Sequence, residues 1–462
     1  MKGYLTVFLA LSLSFMTGFV LLLTGNAVRN AGKVRLECAA DTGMNAVLSE
    51  FHRELFERYG LIYVDASYLE RKPEISNVEN RLRYYVEENT SELLGGRNSP
   101  WGNLKIAETH ILSFETAAAD KGASMRNQAV CYAQDCGLGG SEREILEQMD
   151  EIHALERADP MEHWIGIMEQ LAGMELPMIQ NEKGDWEEVP LSNPADWVFG
   201  LAGSDILYLA RVDAGYISPA KVNLQKYISH RQKENTAGIG REYRGEDDLF
   251  LSYLYDTMGC FGNGKEGALL SCQLEYLAHG KDSDFENMKS TAAKLLKWRF
   301  ADNASRALAD GDLRSQALAA AEQLLAVILK AEFKQPVAES ILYACAFLES
   351  VGDVRALYRG GAVPLRKSGH HMSVSHVLDG SLYQSEGGSG LTYRQYLAGM
   401  IMLLGEETLN FRAMDIMEMD IRFGDGNENF CMDWCIERLE AQIVGRGSAA
   451  DRYVLRRKYG YF

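Results

Sequence analysis

The sequence predicts an α+β fold in which a long N-terminal transmembrane-plus-stem helix packs against a body of mixed antiparallel sheet and helices. Two observations lead to this prediction. The first is a helical pattern that continues through almost all of the first sixty residues, and the second is an irregular succession of strand-like and helix-like runs after them. Strands and helices that do not alternate regularly favour an α+β over an α/β fold.

The first element is an apolar run from Tyr4 to Thr24 that contains no charged residue. About 20 such residues are needed to cross a hydrocarbon layer of roughly 30 Å. The alternative is a signal peptide, in which a small-residue cleavage site follows the apolar run. Residues 23–28 match such a site poorly. We therefore predict a retained membrane anchor over residues 1–24, with a possible short leader at its start.

A stem helix is predicted over residues 25–60, because the sequence contains no proline before Pro73 and its apolar residues recur at helical spacing. Gly60 would end this helix. Residues 61–65 are rich in β-branched and aromatic side chains and predict the first strand. A helix with one apolar stripe must cover it. We therefore expect burial against the body of Leu36, Ala40, Val47, Phe51 and Leu55.

The remaining residues, 61–462, are predicted to form an extracytoplasmic body with a possible helical insertion at about 141–195. Two strand-like runs around Gly262-Asn263-Gly264 predict a β-hairpin. Further segments follow from periodicity and capping residues. Helices are expected over 284–308, 314–333, 337–350, 391–404 and 406–422, and sheet-closing strands over 430–444 and 453–462.

The charge of the chain limits its partners. It contains 47 lysines and arginines against 65 aspartates and glutamates, for a net charge of -18. Such a field repels a phosphate backbone. We therefore expect membrane lipid, contacted through the N-terminal helix, as a partner and do not expect nucleic acid.

Eight cysteines raise the question of disulfides or zinc. Cys131 and Cys136 flank a predicted turn and could pair, whereas Cys431 and Cys435 on one strand would lie about 13 Å apart. A zinc site made of these four lacks the usual two-residue gap in either half. Cys38, Cys272 and Cys345 have apolar neighbours and are predicted to be core residues.

Two other segments contain potential metal ligands. His370, His371 and His376 could bind a metal together with a carboxylate, but the surrounding serines and glycine favour a polar loop that leads to a short strand. Residues 425–429, Asp-Gly-Asn-Glu-Asn, begin like a calcium loop, yet Phe430 and Ile436 replace its glycine and glutamate. We expect only a turn there, and no metal ligands are assigned.

Other chemical motifs are incomplete. Gly259, Gly262, Gly264 and Lys265 resemble a phosphate loop without the required Gly-Lys-Ser/Thr order. The sequence contains neither a Gly-x-Ser-x-Gly elbow nor a His-Glu-x-x-His pair. We predict no catalytic residue, no cofactor and no enzymatic activity. The basic, aromatic segment 452–462 is predicted to be a cation-protected edge strand, with binding of an acidic partner as the alternative.

The first residues, Met1-Lys2-Gly3-Tyr4-Leu5-Thr6-Val7, are similar to the start of pilin-like proteins, in which a short basic leader ends in glycine before an apolar helix. The resemblance implies processing between Gly3 and Tyr4. The chain departs from the pilin pattern at Phe8, where pilins usually have glutamate. In pilins this helix anchors the subunit and then packs in a filament.

Longer stretches resemble an uncharacterised family of membrane-anchored proteins of anaerobic Gram-positive bacteria, found with Tad-type (Flp) pilus machinery and related to its minor pseudopilins. The resemblance covers most of the chain and implies no catalytic residue. The stretches are Ala46–Leu61, Leu274–Lys281, Glu349–Leu357, Gly360–Leu365 and Gly390–Leu397.

This resemblance implies a structural or assembly component of a pilus-type secretion system, with other pilus or secretion-system subunits as partners. The alternative is an anchored ectodomain that binds or hydrolyses an unknown substrate. The pilin-like topology implies a single-pass protein of the cell membrane with its N-terminus inside and its body outside. Arg29, Lys33 and Arg35 follow the span and favour the opposite orientation by the positive-inside rule.

Overall fold

The computed structural model describes residues 2–69, 71–92, 104–139, 143–180, 183, 185–189, 192–238, 240, 246–326, 330–369, 371–383, 385, 387–447 and 451–461. The chain divides into two compact units. Unit 1 contains Met1–Cys136, Leu224–Glu246 and Asn410–Phe462, and unit 2 contains Gly137–Asn223 and Asp247–Leu409. The sequence predicted a single body over 61–462; its residues 141–195, predicted as an insertion, belong to unit 2.

The described elements confirm the α+β class. The helices are α1 (Lys2–Ser49), α2 (Arg53–Tyr59), α3 (Ile75–Glu92), α4 (Ala119–Asp135), α5 (Arg143–Glu147), α6 (Met149–Arg157), α7 (Pro160–Ala172), α8 (Asp196–Ala202), α9 (Ile206–Ala210), α10 (Asp247–Thr257), α11 (Gln273–His279), α12 (Asp284–Ala309), α13 (Gly311–Ala326), α14 (Lys334–Tyr358), α15 (Val374–Asp379), α16 (Tyr393–Met402) and α17 (Glu406–Phe423). The strands are β1 (Val64–Asp65), β2 (Lys105–Thr116), β3 (Met178–Gln180), β4 (Trp186–Glu188), β5 (Ala362–Val363), β6 (Leu391–Thr392), β7 (Cys435–Arg446) and β8 (Arg452–Gly460).

The second half of α1 forms part of the core of unit 1. Its apolar stripe packs with side chains of α3 and β7, including Val86 and Leu439. Four of the five stripe residues named from the sequence are fully buried, namely Leu36, Ala40, Val47 and Leu55. The prediction of a buried stem is therefore confirmed for these four, whereas Phe51 is half-buried.

The predicted continuous helix to residue 59 is interrupted, because α1 ends at Ser49 and α2 begins at Arg53. His52 causes the restart. Its Nδ1 accepts a hydrogen bond from the backbone N–H of Leu55 at 3.1 Å, and its own backbone N–H bonds to the carbonyl of Tyr63. Histidine is an unusual N-cap, and the apolar spacing continues across the break, so the sequence pattern concealed it.

The sheet of unit 1 is antiparallel and has β7 at its centre. Residues 438–446 of β7 pair with β2 on one side and with β8 on the other. Ile436 pairs with both β1 and β2, so β1 lies on the same side as β8. The two predicted C-terminal strands are thus present, and β8 is an edge strand within the described residues.

Unit 2 is mainly helical and is built around α12, α13 and α14. Trp164 of α7 is fully buried among aromatic rings of α12 and α14, with ring centroids 5.9 Å from Phe300 and 5.7 Å from Phe347. Residues of α14 are buried on every side of the helix from Ser340 to Leu357. The predicted helices over 284–308, 337–350 and 391–404 correspond to α12, α14 and α16.

The predicted hairpin of unit 2 is wrong, because its two strands are the helices α10 and α11. Six consecutive residues of α10, from Phe250 to Tyr255, are buried. A short apolar run that is buried on all sides does not show whether its period is that of a helix or a strand. The turn itself is present, since Cys260 and Asn263 exchange two backbone hydrogen bonds and Gly262 has φ +78°.

Candidate functional site

The first half of α1 is an exposed apolar surface. From Tyr4 to Leu23 its large apolar side chains are 52% to 87% exposed. Among the described residues, α1 is the one helix that is long and apolar enough to cross a membrane, and no residue of its most apolar window is buried. Such a helix serves as a membrane anchor or as a signal sequence.

The predicted processing site lies in the first turn of this helix. Apart from its chain neighbours and the adjoining helix backbone, Gly3 has nothing within 4 Å of the position that a Cβ would occupy, and the Tyr4 side chain is 87% exposed. The bond between them is thus unobstructed by the rest of unit 1. The hydroxyl of Thr6 donates to the carbonyl of Gly3 at 2.9 Å, which is a contact within the helix itself.

The basic residues after the apolar run have partners within unit 1. Arg29 forms an ion pair with Asp451 at 3.2 Å, close to the start of β8. Arg35 is buried and donates to the carbonyl of Thr90, at the end of α3. The Tyr453 hydroxyl would lie 3.0 Å from a Cβ at Gly32, so α1 and β8 are in close contact here. These contacts join the apolar half of α1 to the fold.

A polar cavity of about 590 Å³ opens in unit 2. Its walls come from α14, from β5 and from the two loops that follow β5 and α15. Charged, hydroxyl and aromatic side chains share the lining with backbone. The described lining residues are Asp353, Ala362, Val363, Pro364, Lys367, Ser368, Gly369, His371, Tyr383, Ser385, Gly387, Gly388 and Ser389.

Glycines allow the walls of this cavity to approach one another. A Cβ at Gly352 on α14 would meet the Tyr383 ring at 2.8 Å, so only glycine lets this segment lie against the helix. Gly390 has φ +142°, and a Cβ there would lie 2.2 Å from the backbone nitrogen of Pro364. The shape of the cavity therefore depends on glycine at these two positions, because any larger residue would push the neighbouring segment away.

A buried ionic network lies at the base of the cavity. The fully buried Arg299 guanidinium forms ion pairs with Asp302 at 3.0 Å and with Asp353 at 3.1 Å. The Lys367 ammonium bridges Glu349 at 2.5 Å and Asp353 at 2.8 Å. Every carboxylate in the network is about 1% exposed, and each has a cationic partner, as buried charges require.

Burial lowers the pKa of Arg299, but its neighbours Tyr396, Asp353 and Asp302 more than offset this and hold it above its usual value. Burial raises the pKa of Tyr396 to about 12. Arg299 also donates to the carbonyls of Pro364 and Leu365, at 3.0 and 2.9 Å. The network therefore fixes the start of the loop that carries Lys367 into the cavity wall.

Chemically, the cavity offers hydrogen-bond donors and acceptors around an aromatic ring. The imidazole of His371 stacks on Tyr383, with centroids 6.0 Å apart and an interplanar angle of 13°. Asp353 and Lys367 are paired with each other, so neither supplies an unbalanced charge. This chemistry suits a small polar ligand better than a strongly charged one.

Among the described residues of unit 1, one group has potential metal-ligand atoms within 4.8 Å of one another, namely Glu418, Cys431 and Asp433. Arginine side chains already occupy these atoms. Arg231 donates to Glu418 at 2.7 Å and to Asp433 at 2.6 Å, and Arg422 donates to the Cys431 thiol at 2.9 Å. Burial raises the pKa of Cys431 to about 11. The group is an ionic clamp that ties the segment 224–246 to α17.

Glu275 is a further buried acid of unit 2, and it does not line the cavity. Glu275 accepts from the Tyr393 hydroxyl at 2.6 Å and from the backbone N–H of Phe261 at 2.9 Å. Both donors bond to the same oxygen, and the other oxygen has no partner. Burial raises the pKa of Glu275 to about 7.

Two residues of the predicted histidine cluster, His371 and His376, contact the ring of Tyr383, with centroids 6.0 and 6.1 Å away. His370 lies outside the described residues. Within the described part of the chain, no group of three potential metal ligands includes either histidine. The predicted polar loop is present over the described residues 364–369 and 371–372. The short strand predicted after it is wrong, because Val374–Asp379 form the helix α15.

The predicted turn at 425–429 is present, and Asn427 donates to Glu54 of α2 at 2.6 Å. Polar groups of the glycine-rich segment at 259–265 form hydrogen bonds with neighbouring parts of unit 2. The N–H of Gly259 donates to Gln273 at 2.8 Å, and the Lys265 ammonium donates to the carbonyl of Asp256. Both groups are therefore engaged in hydrogen bonds within unit 2.

All eight cysteines carry free thiols. Cys431 and Cys435 are not on one strand as predicted, because a short 3-10 turn separates them and the Cys435 thiol donates to the Cys431 carbonyl at 3.4 Å. The predicted burial of Cys272 and Cys345 is confirmed, whereas Cys38 is exposed. Cys38 lies on the solvent side of α1, one residue before two buried alanines.

Side chains of the C-terminal strand alternate as an edge strand requires. Arg452, Arg456 and Lys458 are exposed, whereas Arg457 turns toward α1 and pairs with Asp41 at 2.8 Å. The Tyr461 hydroxyl donates to the carbonyl of Leu48. Phe462 lies outside the described residues.

Sequence reasoning missed the cavity and the ionic network beneath it. A signal was available, because three of the stretches on which the resemblance rested contribute to this site. Glu349–Leu357 supplies two acids of the network, Gly360–Leu365 supplies one wall of the cavity, and Gly390–Leu397 supplies Tyr396.

No curated protein and no solved structure matches this chain. The model of a family of unknown function, DUF5702, matches residues 184–447. This segment includes the polar cavity, the ionic network and all of β7. Since the match spans more than half of the 462 residues, the chain belongs to this family of unknown function.

Proposed function

We propose that this protein is a structural or assembly component of a pilus-type secretion system of the Tad (Flp) kind, anchored in the cell membrane by α1. One observation carries the proposal. A single helix has an exposed apolar first half and a second half that belongs to the core of unit 1. A span that continues into the fold without a linker couples the membrane position of the subunit to the orientation of its sheet.

The continuity of α1 also favours a retained anchor over a removed signal sequence. No break separates the apolar run from the stem, and the first ion pair with the sheet, Arg29 with Asp451, lies only six residues after Leu23. At 1.5 Å per residue this distance is about 9 Å. The fold therefore begins almost at the end of the apolar run.

The proposed orientation places the N-terminus inside and the body outside. The basic residues after the span argue against it only if they act as topology signals. Arg35 has a structural role, because it is buried and bonds to Thr90. Arg29 is paired with Asp451. Digestion of intact cells with an external protease should cleave unit 2 and leave a membrane-protected N-terminal fragment.

A photo-crosslinking residue in place of Phe15 tests the assembly role. Phe15 is 76% exposed on the apolar half of α1, where a neighbouring subunit helix would pack. The matched control carries the same residue in place of Tyr208, which is 81% exposed in unit 2. We expect crosslinks from position 15 to another apolar-helix subunit of the machinery. Crosslinks to lipid alone would contradict the assembly role and leave the anchor intact.

Processing by a prepilin-type peptidase is the corresponding proposal for the N-terminus. Removal of Met1–Gly3 would leave Tyr4 first, and intact-mass spectrometry of protein from its native membrane measures this directly. We expect Gly3→Leu to retain the leader, because glycine lets the extended chain enter the peptidase site without a side-chain clash. Wild type and variant that both begin at Met1 or Lys2 would contradict the proposal.

A second function, an anchored extracytoplasmic domain that binds or hydrolyses a substrate, is favoured by the polar cavity of about 590 Å³. Thermal shift with a panel of small sugars and amino acids tests it. His371→Ala should abolish any shift, because His371 lines the cavity. His376→Ala is the matched control, since His376 contacts the same Tyr383 ring but does not line the cavity. The absence of any shift would contradict this alternative.

A further inference from the structure

A group of exposed cations lies at the end of unit 1 where the apolar half of α1 joins the fold. Lys105, Arg446 and Arg452 are paired across β2, β7 and β8, so they form one row at the end of the sheet. Directly opposed residues of antiparallel strands point to the same face. Arg29 and Lys33 of α1 complete what we call the basic rim, and all five residues are exposed.

Contacts place the two parts of the rim at the same level. Arg29 pairs with Asp451, the residue directly before Arg452. One row further from this end, Gly445 pairs with Tyr453, whose hydroxyl contacts α1 at Gly32. The row that contains Arg446 and Arg452 is therefore at the end of the sheet nearest the apolar half of α1. It lies level with the part of α1 that carries Arg29.

The rim contrasts with the charge of the whole chain. It holds five cations, and among the described residues the acids that form ion pairs with them are Glu37, Glu108 and Asp451. The rim therefore keeps a positive balance in a protein with a net charge of -18. Lys105 and Arg446 form no ion pair among the described residues.

The distance from the apolar run matches a headgroup layer. Arg29 lies six residues after Leu23, or about 9 Å along the helix, and Lys33 about 6 Å further. The headgroup region on each side of a bilayer is roughly 5 to 8 Å thick. A charge within about 8 to 10 Å of this layer is not fully screened at physiological ionic strength.

We propose that the basic rim binds the headgroups of anionic phospholipids. An acidic body next to an anionic membrane surface is repelled, and the rim supplies the attraction that seats this end of unit 1 on the membrane. The inference rests on the proposed membrane anchor and goes beyond it, because an apolar span by itself does not distinguish anionic from zwitterionic lipid.

The test uses the full chain reconstituted in phosphatidylcholine vesicles with 30% phosphatidylglycerol. Spin-labelled phosphatidylglycerol and phosphatidylcholine measure which of the two lipids the chain prefers. The variant is Arg446→Gln with Arg452→Gln. The control is Arg456→Gln with Lys458→Gln, which removes the same charge from the same exposed face of β8 about 13 to 20 Å further along the strand.

We expect wild type and control to prefer phosphatidylglycerol by about threefold or more at low salt, and the rim variant to lose most of this preference. The preference should also fall in 0.5 M salt. No preference for phosphatidylglycerol in wild type, or an equal loss of this preference in variant and control, would contradict lipid binding by the basic rim. An alkaline wash that removes the chain from both pure phosphatidylcholine and mixed vesicles would instead overturn the anchor, and the rim with it.

Discussion

Arg299→Met should destabilise unit 2 strongly, because it removes the central cation of the buried ionic network. Arg299 is fully buried and pairs with Asp302 and Asp353. Methionine replaces the unbranched stem of arginine but has no donor, so both carboxylates and the carbonyls of Pro364 and Leu365 lose a partner. Removing one member of a buried ion pair typically costs about 3 to 5 kcal/mol.

The remaining contacts place the expected cost near the lower end of this range. Asp353 keeps the Lys367 ammonium at 2.8 Å, and Asp302 keeps Arg306 at 3.4 Å. Arg306→Met is the matched control, because it lies on the same helix and pairs with the same aspartate. The Arg306 side chain is 27% exposed, and a partly solvated pair contributes about 1 kcal/mol or less.

Urea unfolding of the detergent-solubilised full chain, followed by tryptophan fluorescence, measures both variants. Four of the six tryptophans lie in unit 2, one of them next to Arg299. With a slope of about 3 kcal/mol/M, a loss of about 3 kcal/mol lowers the midpoint by about 1 M. An Arg299→Met midpoint within about 0.2 M of wild type, or an equal shift for Arg306→Met, would refute the assigned role of the network.

Two further substitutions test other parts of the fold. Gly60→Ala should destabilise unit 1 by at least about 2 kcal/mol in the same urea titration, because Gly60 has φ +66° and a Cβ would lie 2.0 Å from the Tyr132 ring. Gly426→Ala is the control and should cost less, because Gly426 has φ +85° but nothing within 4 Å of a Cβ. Glu275→Gln should stabilise unit 2 at pH 8 by up to about 3 kcal/mol and give no such gain at pH 4.5. The folded-state pKa of Glu275 is raised from 4.5 to about 7, so the folded state retains a proton that the unfolded state loses, and wild-type stability falls as pH rises through this window. Equal differences at both pH values would contradict the assignment.

The stem of unit 1 was predictable because its signal is local. Apolar spacing of three and four residues identifies a buried stripe in any helix that packs on a sheet, and Leu36, Ala40 and Val47 are buried as expected. The same signal continued past Ser49 and gave no sign of the break. That break depends on His52, whose ring also lies 3.3 Å from Asn427, a residue 375 positions away.

Periodicity failed where burial is complete. The helix α10 is buried along six consecutive residues, and its apolar and aromatic composition favoured a strand. The adjoining α11 is likewise buried from Gln273 to Ala278. A one-sided pattern arises only when an element has a solvent face, so the most deeply buried elements of unit 2 gave the least reliable predictions.

The cavity site was hidden for a related reason, although α14 did contain a usable signal. Glu349 and Asp353 stand one turn apart in a segment that is buried on every side and, apart from Arg355, is otherwise apolar, aromatic or small. A carboxylate in such a helix must have a cationic partner, since an unpaired buried charge costs several kcal/mol. The sequence therefore implies that partners exist but does not identify them. Arg299 lies 54 residues before Asp353 and Lys367 lies 14 residues after it, on different elements. Only the packing of α12 on α14, and the glycines that let the following loops cross α14 closely, select these two cations.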